Sequence, residues 1–135
     1  MMKEPVLTVD VILDDIIEVN GSTGVAAMIL FHGNCSCKNF EGKILPGGVD
    51  TQKQEHGKER LLSARYVLEG TDLEGQKCRI FIENNGAITE PGPGAVIKTT
   101  PKIYTDSKAL KWLETANLSG TVEGKEGGVF ISIYD

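Results

Sequence analysis

Apolar and polar residues alternate along most of this chain, and clusters of Gly, Pro, Asn and Asp break the alternation at short intervals. A period of two marks strands, and the breaks mark turns. Val6 to Glu18 is dominated by Val and Ile with no helical stop signal before Asn20-Gly21, so it reads as one strand or as two joined at Asp14-Asp15. Asn20-Gly21-Ser22 is a hairpin signal because both central positions tolerate positive φ. Val25 to Leu45 is too long for one straight strand and contains Gly33 and Gly42, residues that mark bulges or bends. Gly42 to Asp50 reads as a strand end, a tight turn at Pro46-Gly47-Gly48 and a carboxylate, with a short hairpin before the next strand.

Arg60 to Leu68 places Leu62, Ala64, Tyr66 and Leu68 on one face and Leu61, Ser63, Arg65 and Val67 on the other. Both faces are substantially apolar, as in a strand that lines a filled barrel or lies between layers. After the turn Asp72-Leu73-Glu74-Gly75, Lys77 to Asn84 groups Ile80, Ile82 and Asn84 on one side and Phe81 with Glu83 on the other. Glu90-Pro91-Gly92-Pro93-Gly94 reads as a loop, since proline cannot donate to a ladder. Ala95 to Tyr104 resumes the extended pattern, with Pro101 predicting an edge, a bulge or a bend. Lys108 to Glu114, behind Asp106-Ser107 as caps, is the one predicted helix, and Leu110 and Leu113 share a face that would close a barrel mouth or base. Leu118 to Glu123 and Val129 to Tyr134 form a last hairpin. The expected fold is all-β: an antiparallel eight-stranded barrel with one short helix, in a single domain over residues 1–135.

Composition sharpens this reading. Sixteen Gly and five Pro in 135 residues suit many tight turns. The net charge of −5 and the lack of any Lys/Arg cluster beyond a neighbouring pair argue against nucleic acid as a partner, because phosphate binding needs a basic footprint. No apolar run approaches the roughly 18 residues of a membrane span. Met1 to Pro5 shows no secretory signal, so a cytoplasmic location is expected.

Three cysteines, Cys35, Cys37 and Cys78, are an odd number and read as free thiols. A metal site can be drawn through Cys35, Cys37 and His32. One intervening residue, however, sends both cysteine side chains to one strand face about 6–7 Å apart, stretched for chelation, so no metal is expected. Half-buried strand cysteines are the favoured reading, with a redox-sensing thiol beside it. No P-loop, nucleophile elbow or dinucleotide fingerprint is present, and no cofactor is expected. His32 reads as a strand residue and His56 as part of a solvated turn.

Five short motifs follow one another along the chain: Leu45-Pro46-Gly47-Gly48-Val49-Asp50, Ser63-Ala64-Arg65-Tyr66, Ile82-Glu83-Asn84-Asn85-Gly86, Thr99-Thr100-Pro101 and Trp112-Leu113. In this order and spacing the chain resembles the DUF3237 family, the uncharacterised UPF0311 proteins, over nearly its whole length. The resemblance implies an eight-stranded barrel of the allene-oxide-cyclase-like or lipocalin-like kind with an interior cavity. Ser63 stands where the family usually has an acidic residue, and Glu114 where it usually has Asn. The first departure leaves Arg65 free to meet a ligand or to pair with Asp50 or Glu83.

Asp50, Arg65 and Asn84 fall at or near strand ends in otherwise apolar segments, where a barrel wall would turn them toward the lumen. A guanidinium suits a carboxylate or carbonyl oxygen, a nearby carboxylate would orient it, and Asn84 can donate or accept. Tyr66 and Trp112 would supply amphipathic walls. The alternative is a structural ion pair between Arg65 and Asp50, with Asn84 satisfying turn backbone. The leading functional reading is therefore a binding barrel for a small, mainly apolar molecule with a carboxylate or carbonyl end. A cyclase, isomerase or lyase using Asp50 or Glu83 as base in the same cavity is the second reading. A homodimeric assembly module is the third.

Overall fold

The structure, a computed structural model, describes residues 3–89 and 95–135. Its alternating segments become β1 (Leu7–Asn20), β2 (Gly24–Ser36), β3 (Phe40–Ile44), β4 (Val49–Glu55), β5 (Arg60–Asp72), β6 (Lys77–Ile88), β7 (Val96–Thr105), β8 (Ser119–Lys125) and β9 (Gly128–Tyr134). Each pairs with its neighbours antiparallel, and β1 pairs with both β2 and β9, which closes the sheet on itself. β3 and β4 both pair with β2 and β5, at opposite ends of those strands, so they share one position in the wall. The result is a closed eight-stranded antiparallel barrel.

The tight turn expected at Pro46-Gly47-Gly48 is present at Pro46-Gly47, and it joins β3 to β4 without reversing the chain. Ile44 lies opposite Leu68 and Val49 opposite Arg65, so five steps along β3–β4 match three along β5, and two residues are extra. Leu45 to Gly48 is thus a bulge that keeps the chain's direction, with Gly47 at φ 111°, a left-handed value that glycine adopts without strain. A smaller irregularity at Asp14 interrupts the β1–β2 register, but β1 still runs unbroken from Leu7 to Asn20. The break that the sequence pattern missed lies at Cys37 to Asn39, where the Cys37 amide donates to the Phe40 carbonyl at 3.0 Å. Glycines at 33 and 42 mark close backbone approach, since a Cβ there would meet the carbonyls of Asp10 and Glu69. Pro101 sits in β7 beyond the last β8 pairing at Thr99, where no β8 partner needs its missing N–H. The predicted loop at Glu90 to Gly94 lies outside the described residues.

The predicted helix is shorter and tighter than expected. Only Lys111–Glu114 is helical, as a single 3-10 turn. The preceding residues form a turn in which the Leu110 amide donates to the Ser107 hydroxyl at 3.1 Å. Leu110 and Leu113 are fully buried in the same core cluster as Leu7, Phe40, Leu68 and Ile80. Ser107 also donates to Asp72 at 2.7 Å, and Asp72 accepts the Glu74 and Gln76 amides at the β5–β6 turn. These bonds hold the Asp72 carboxyl below its usual value, the Ser107 hydroxyl contributing most.

The barrel is filled unequally along its axis. The lower half is packed with large aliphatic and aromatic side chains, whereas the inner wall of the upper half carries Asp50, Gln52, Ala64 and Asn84. Past Ile12, whose partner Gly128 begins β9, the β1–β2 hairpin continues beyond the rim with Ile16, Ile17, Val19 and Met28 exposed. Among the described residues no helix is long and apolar enough to cross a membrane.

Candidate functional site

The upper half of the barrel encloses a cavity of about 120 Å³. Its wall is mostly apolar, with Phe31, Leu62, Ala64 and Ile97 among the lining side chains, and three polar groups enter it: Asp50, Gln52 and Asn84. Roomier depressions of about 640 and 520 Å³ lie beside the β1–β2 turn and beside Cys78, but they contain none of the unpartnered buried polar atoms found among the described residues.

Sheet register builds the site. Asp50 on β4 lies opposite Ala64 on β5, which lies opposite Asn84 on β6, so all three point to the same side of the wall. Two inter-strand spacings put the Asp50 and Asn84 backbones about 10 Å apart, and the small Ala64 between them leaves the space into which both side chains reach. Gln52 follows Asp50 by two residues and shares its face. Its amide nitrogen donates to Asp50 Oδ2 at 2.8 Å, while Arg60 Nε donates to Gln52 Oε1 at 2.6 Å. This relay orients Asp50 from one side and leaves Oδ1 buried without a protein partner. Burial pushes the Asp50 carboxyl above its usual value, and the Gln52 hydrogen bond opposes that only in part.

Asn84 is 1% exposed, and neither its Oδ1 nor its Nδ2 has a hydrogen-bond partner in the protein. It lies mid-strand opposite Ala64 and Pro101, so it caps no turn. The Thr99 hydroxyl, on the inner face of β7, is also buried and unpartnered.

The other expected site residues do not join this group. Arg65 does not reach this cavity: Ala64 and Tyr66 face inward, so the period of two sends Arg65 outward, opposite Val49 and Glu83, beside a shallow depression lined by Leu45 to Val49. It forms no ion pair with Asp50 or with Glu83. Glu83 shares the outer wall and accepts a hydrogen bond from Asn85 Nδ2 at 3.1 Å. Tyr66 faces inward but sits below the cavity, edge-on to Phe31 with ring centroids 5.6 Å apart. Its hydroxyl is buried without a partner, and burial raises its pKa, with a smaller push from Cys35. Trp112 does not line the cavity either. It is 37% exposed at the barrel base, because the 3-10 turn directs Leu110 and Leu113 inward and leaves Trp112 outside. His32 is an exposed strand residue that pairs with Asp14 at 2.6 Å, and His56 lies exposed in the β4–β5 turn. Gln52 and Thr99 escaped notice in the sequence, although the Asp50-x-Gln52 spacing on a strand was the available signal for Gln52.

The sequence profile described as "Protein of unknown function (DUF3237)" matches residues 2–135. The chain belongs to the DUF3237 family. A UPF0311 protein of Clostridium acetobutylicum is 35% identical to it over 98 residues, which span 62% of this DUF3237 chain and 60% of the relative. Among solved structures, a protein of unknown function from Clostridium acetobutylicum superposes with a TM-score of 0.83 at 28% identity, covering 96% of this chain and 93% of that one. A conserved protein of unknown function from Rhodopseudomonas palustris superposes with a TM-score of 0.79 at 21% identity, covering 96% and 93% of the two chains. A β-barrel-like protein from Acinetobacter baumannii gives 0.75 at 19% identity, covering 97% and 92%. The last two speak to the fold alone. None of these relatives carries a described activity, so chemistry in this DUF3237 protein has to be argued from its own side chains.

Proposed function

We propose that this protein binds a small, largely apolar molecule with a neutral carbonyl or hydroxyl end in the upper half of the barrel. The observation that carries the reading is Asn84: a buried amide, facing an apolar cavity, with donor and acceptor both unpaired. An unpaired buried polar group costs about 1–3 kcal/mol, and a ligand oxygen that accepts from Nδ2 or donates to Oδ1 offsets that cost. Asp50 supports the same end of the ligand, since its unpartnered Oδ1 can accept from a ligand hydroxyl while Asn84 Nδ2 donates to a ligand carbonyl. A carboxylate end is disfavoured, because Arg65 lies outside and Asp50 would repel an anion. A cavity of 120 Å³ is near the roughly 150 Å³ that accommodates benzene, so the enclosed part of the ligand has about six heavy atoms.

Native mass spectrometry of gently purified wild type beside Asn84→Leu, Ala64→Leu and Arg65→Ala tests this reading. Any co-purifying species should be retained by Arg65→Ala and lost from the other two, and the same spectrum reports the subunit count. Thermal shift with millimolar benzaldehyde, benzyl alcohol, toluene and benzoate supplies the chemistry. Benzaldehyde and benzyl alcohol should stabilise more than toluene, and benzoate least. Equal shifts from all four in wild type and Ala64→Leu would sink the idea.

Asp50 favours a second reading, an isomerase or cyclase in the same cavity. A desolvated carboxyl with a free oxygen is placed to pass a proton to a bound carbonyl, with the Asn84 amide stabilising the oxyanion that develops. Turnover of a bound species that survives Asp50→Asn unchanged would exclude that role.

A further inference from the structure

We propose that Cys35 and Cys37 form a thiol–disulfide exchange site at the base of the barrel, Cys37 attacking a low-molecular-weight disulfide and Cys35 resolving the adduct into an intrachain disulfide. On a straight strand, residues two apart hold their Cα atoms about 6.6–6.8 Å from each other, the upper edge for a disulfide. Here β2 ends at Ser36 and the chain bends at Cys37. The bend lets the two Sγ atoms approach to 4.0 Å.

The two thiols differ in access. Cys35 is 1% exposed within the core beside Phe40, whereas Cys37 is only partly buried. That division supplies one sulfur that an incoming disulfide can reach and one shielded from it. The shared hydrogen bond with Cys35 lowers the Cys37 thiol most; burial opposes this, and the backbone around Asn39, Phe40 and Thr8 adds to the lowering, while in the thiol form Cys37 Sγ donates to the Phe40 carbonyl at 3.5 Å. The same hydrogen bond, together with burial, pushes Cys35 up. A disulfide between residues two apart closes too short a loop to add much chain-entropy stability, so reversible chemistry is what the pair can supply.

The exchange balances without any further reagent. The Cys37 thiolate displaces one thiolate from the disulfide RSSR and forms a mixed disulfide at Cys37. Cys35 Sγ then attacks Cys37 Sγ, and the second RS⁻ leaves. The protein dithiol loses two protons and two electrons, and RSSR becomes two RSH. Cys78 is buried on β6, apart from the pair, and takes no part.

The experiment incubates the full chain with reduced and then oxidised glutathione, quenches with iodoacetamide and maps tryptic peptides. Cys35 and Cys37 fall on one peptide ending at Lys38, and Cys78 falls on another. Oxidised glutathione should remove two hydrogens from the Lys38 peptide, and reduced glutathione should restore them. Cys35→Ser should instead trap glutathione on Cys37, and Cys37→Ser should give neither product. The wild type provides a second readout that needs no variant: Cys37 alkylation should have its midpoint below the roughly 8.5 of a free thiol. A Lys38 peptide that keeps both thiols under oxidised glutathione, or glutathione that attaches first to Cys78, would overturn the proposal.

Discussion

Replacing Asn84 with leucine should make the protein more stable and remove its ligand. Asn84 carries two buried polar atoms without partners. Each costs about 1–3 kcal/mol when fully desolvated, and an open cavity on one side keeps the sum toward the low end, about 2 kcal/mol. Leucine replaces both polar atoms with methyl groups, one for one, and the neighbouring 120 Å³ of space takes up its slightly larger volume, so the overpacking of a filled core does not arise. For a chain of this length about 1 kcal/mol moves Tm by about 3–5 °C, so Asn84→Leu should melt about 6–10 °C higher. Circular dichroism in a thermal ramp and in urea measures it, and the urea m-value should not change. The gain would illustrate a functional position held against stability. If Asn84→Leu is destabilised by more than about 1 kcal/mol, the amide is satisfied within the fold and the reasoning that makes it a ligand contact fails.

The other predictions concern charge, space and backbone. Because the folded pKa of Asp50 lies above the unfolded value of 3.8, the folded chain keeps a proton that the unfolded chain has released as pH rises between the two, so stability falls across that window and stays lower above it. Asp50→Asn removes this loss: its urea midpoint should exceed that of wild type by a margin that opens as pH rises from 3.8 and then levels off, and a pH-independent margin would refute the assignment. Asp72 is shifted the opposite way in both proteins and cancels from the comparison. Arg65→Ala should stay within about 0.5 kcal/mol of wild type in urea unfolding, as befits an exposed outer-wall residue. Gly127→Ala, at φ 77° in open space, should cost about 1–2 kcal/mol. Gly128→Ala should cost more, because its Cβ would meet the Val11 carbonyl, and equal urea midpoints for the two glycine variants would contradict that packing.

Strand positions and the partition of their side chains were legible in the chain itself, because the pleat enforces a period of two whatever the strand packs against. Leu62, Ala64, Tyr66 and Leu68 do share one face, as do Ile80, Ile82 and Asn84, and the whole set is buried. Period alone divides a strand into two faces without saying which is inside, and β5 is apolar on both. Closure of the barrel decided it, turning Ala64 in and Arg65 out, so that the polar groups entering the cavity are Asp50, Gln52 and Asn84 rather than a guanidinium. The same limit explains the bulge at Leu45 to Gly48, since Pro-Gly-Gly permits either a reversal or an outward loop, and only pairing of β3 and β4 with the same two neighbours selects between them. Local preference set the elements, while the long-range register, in which one residue's slip exchanges the two faces of a strand, determined the lumen and what lines it.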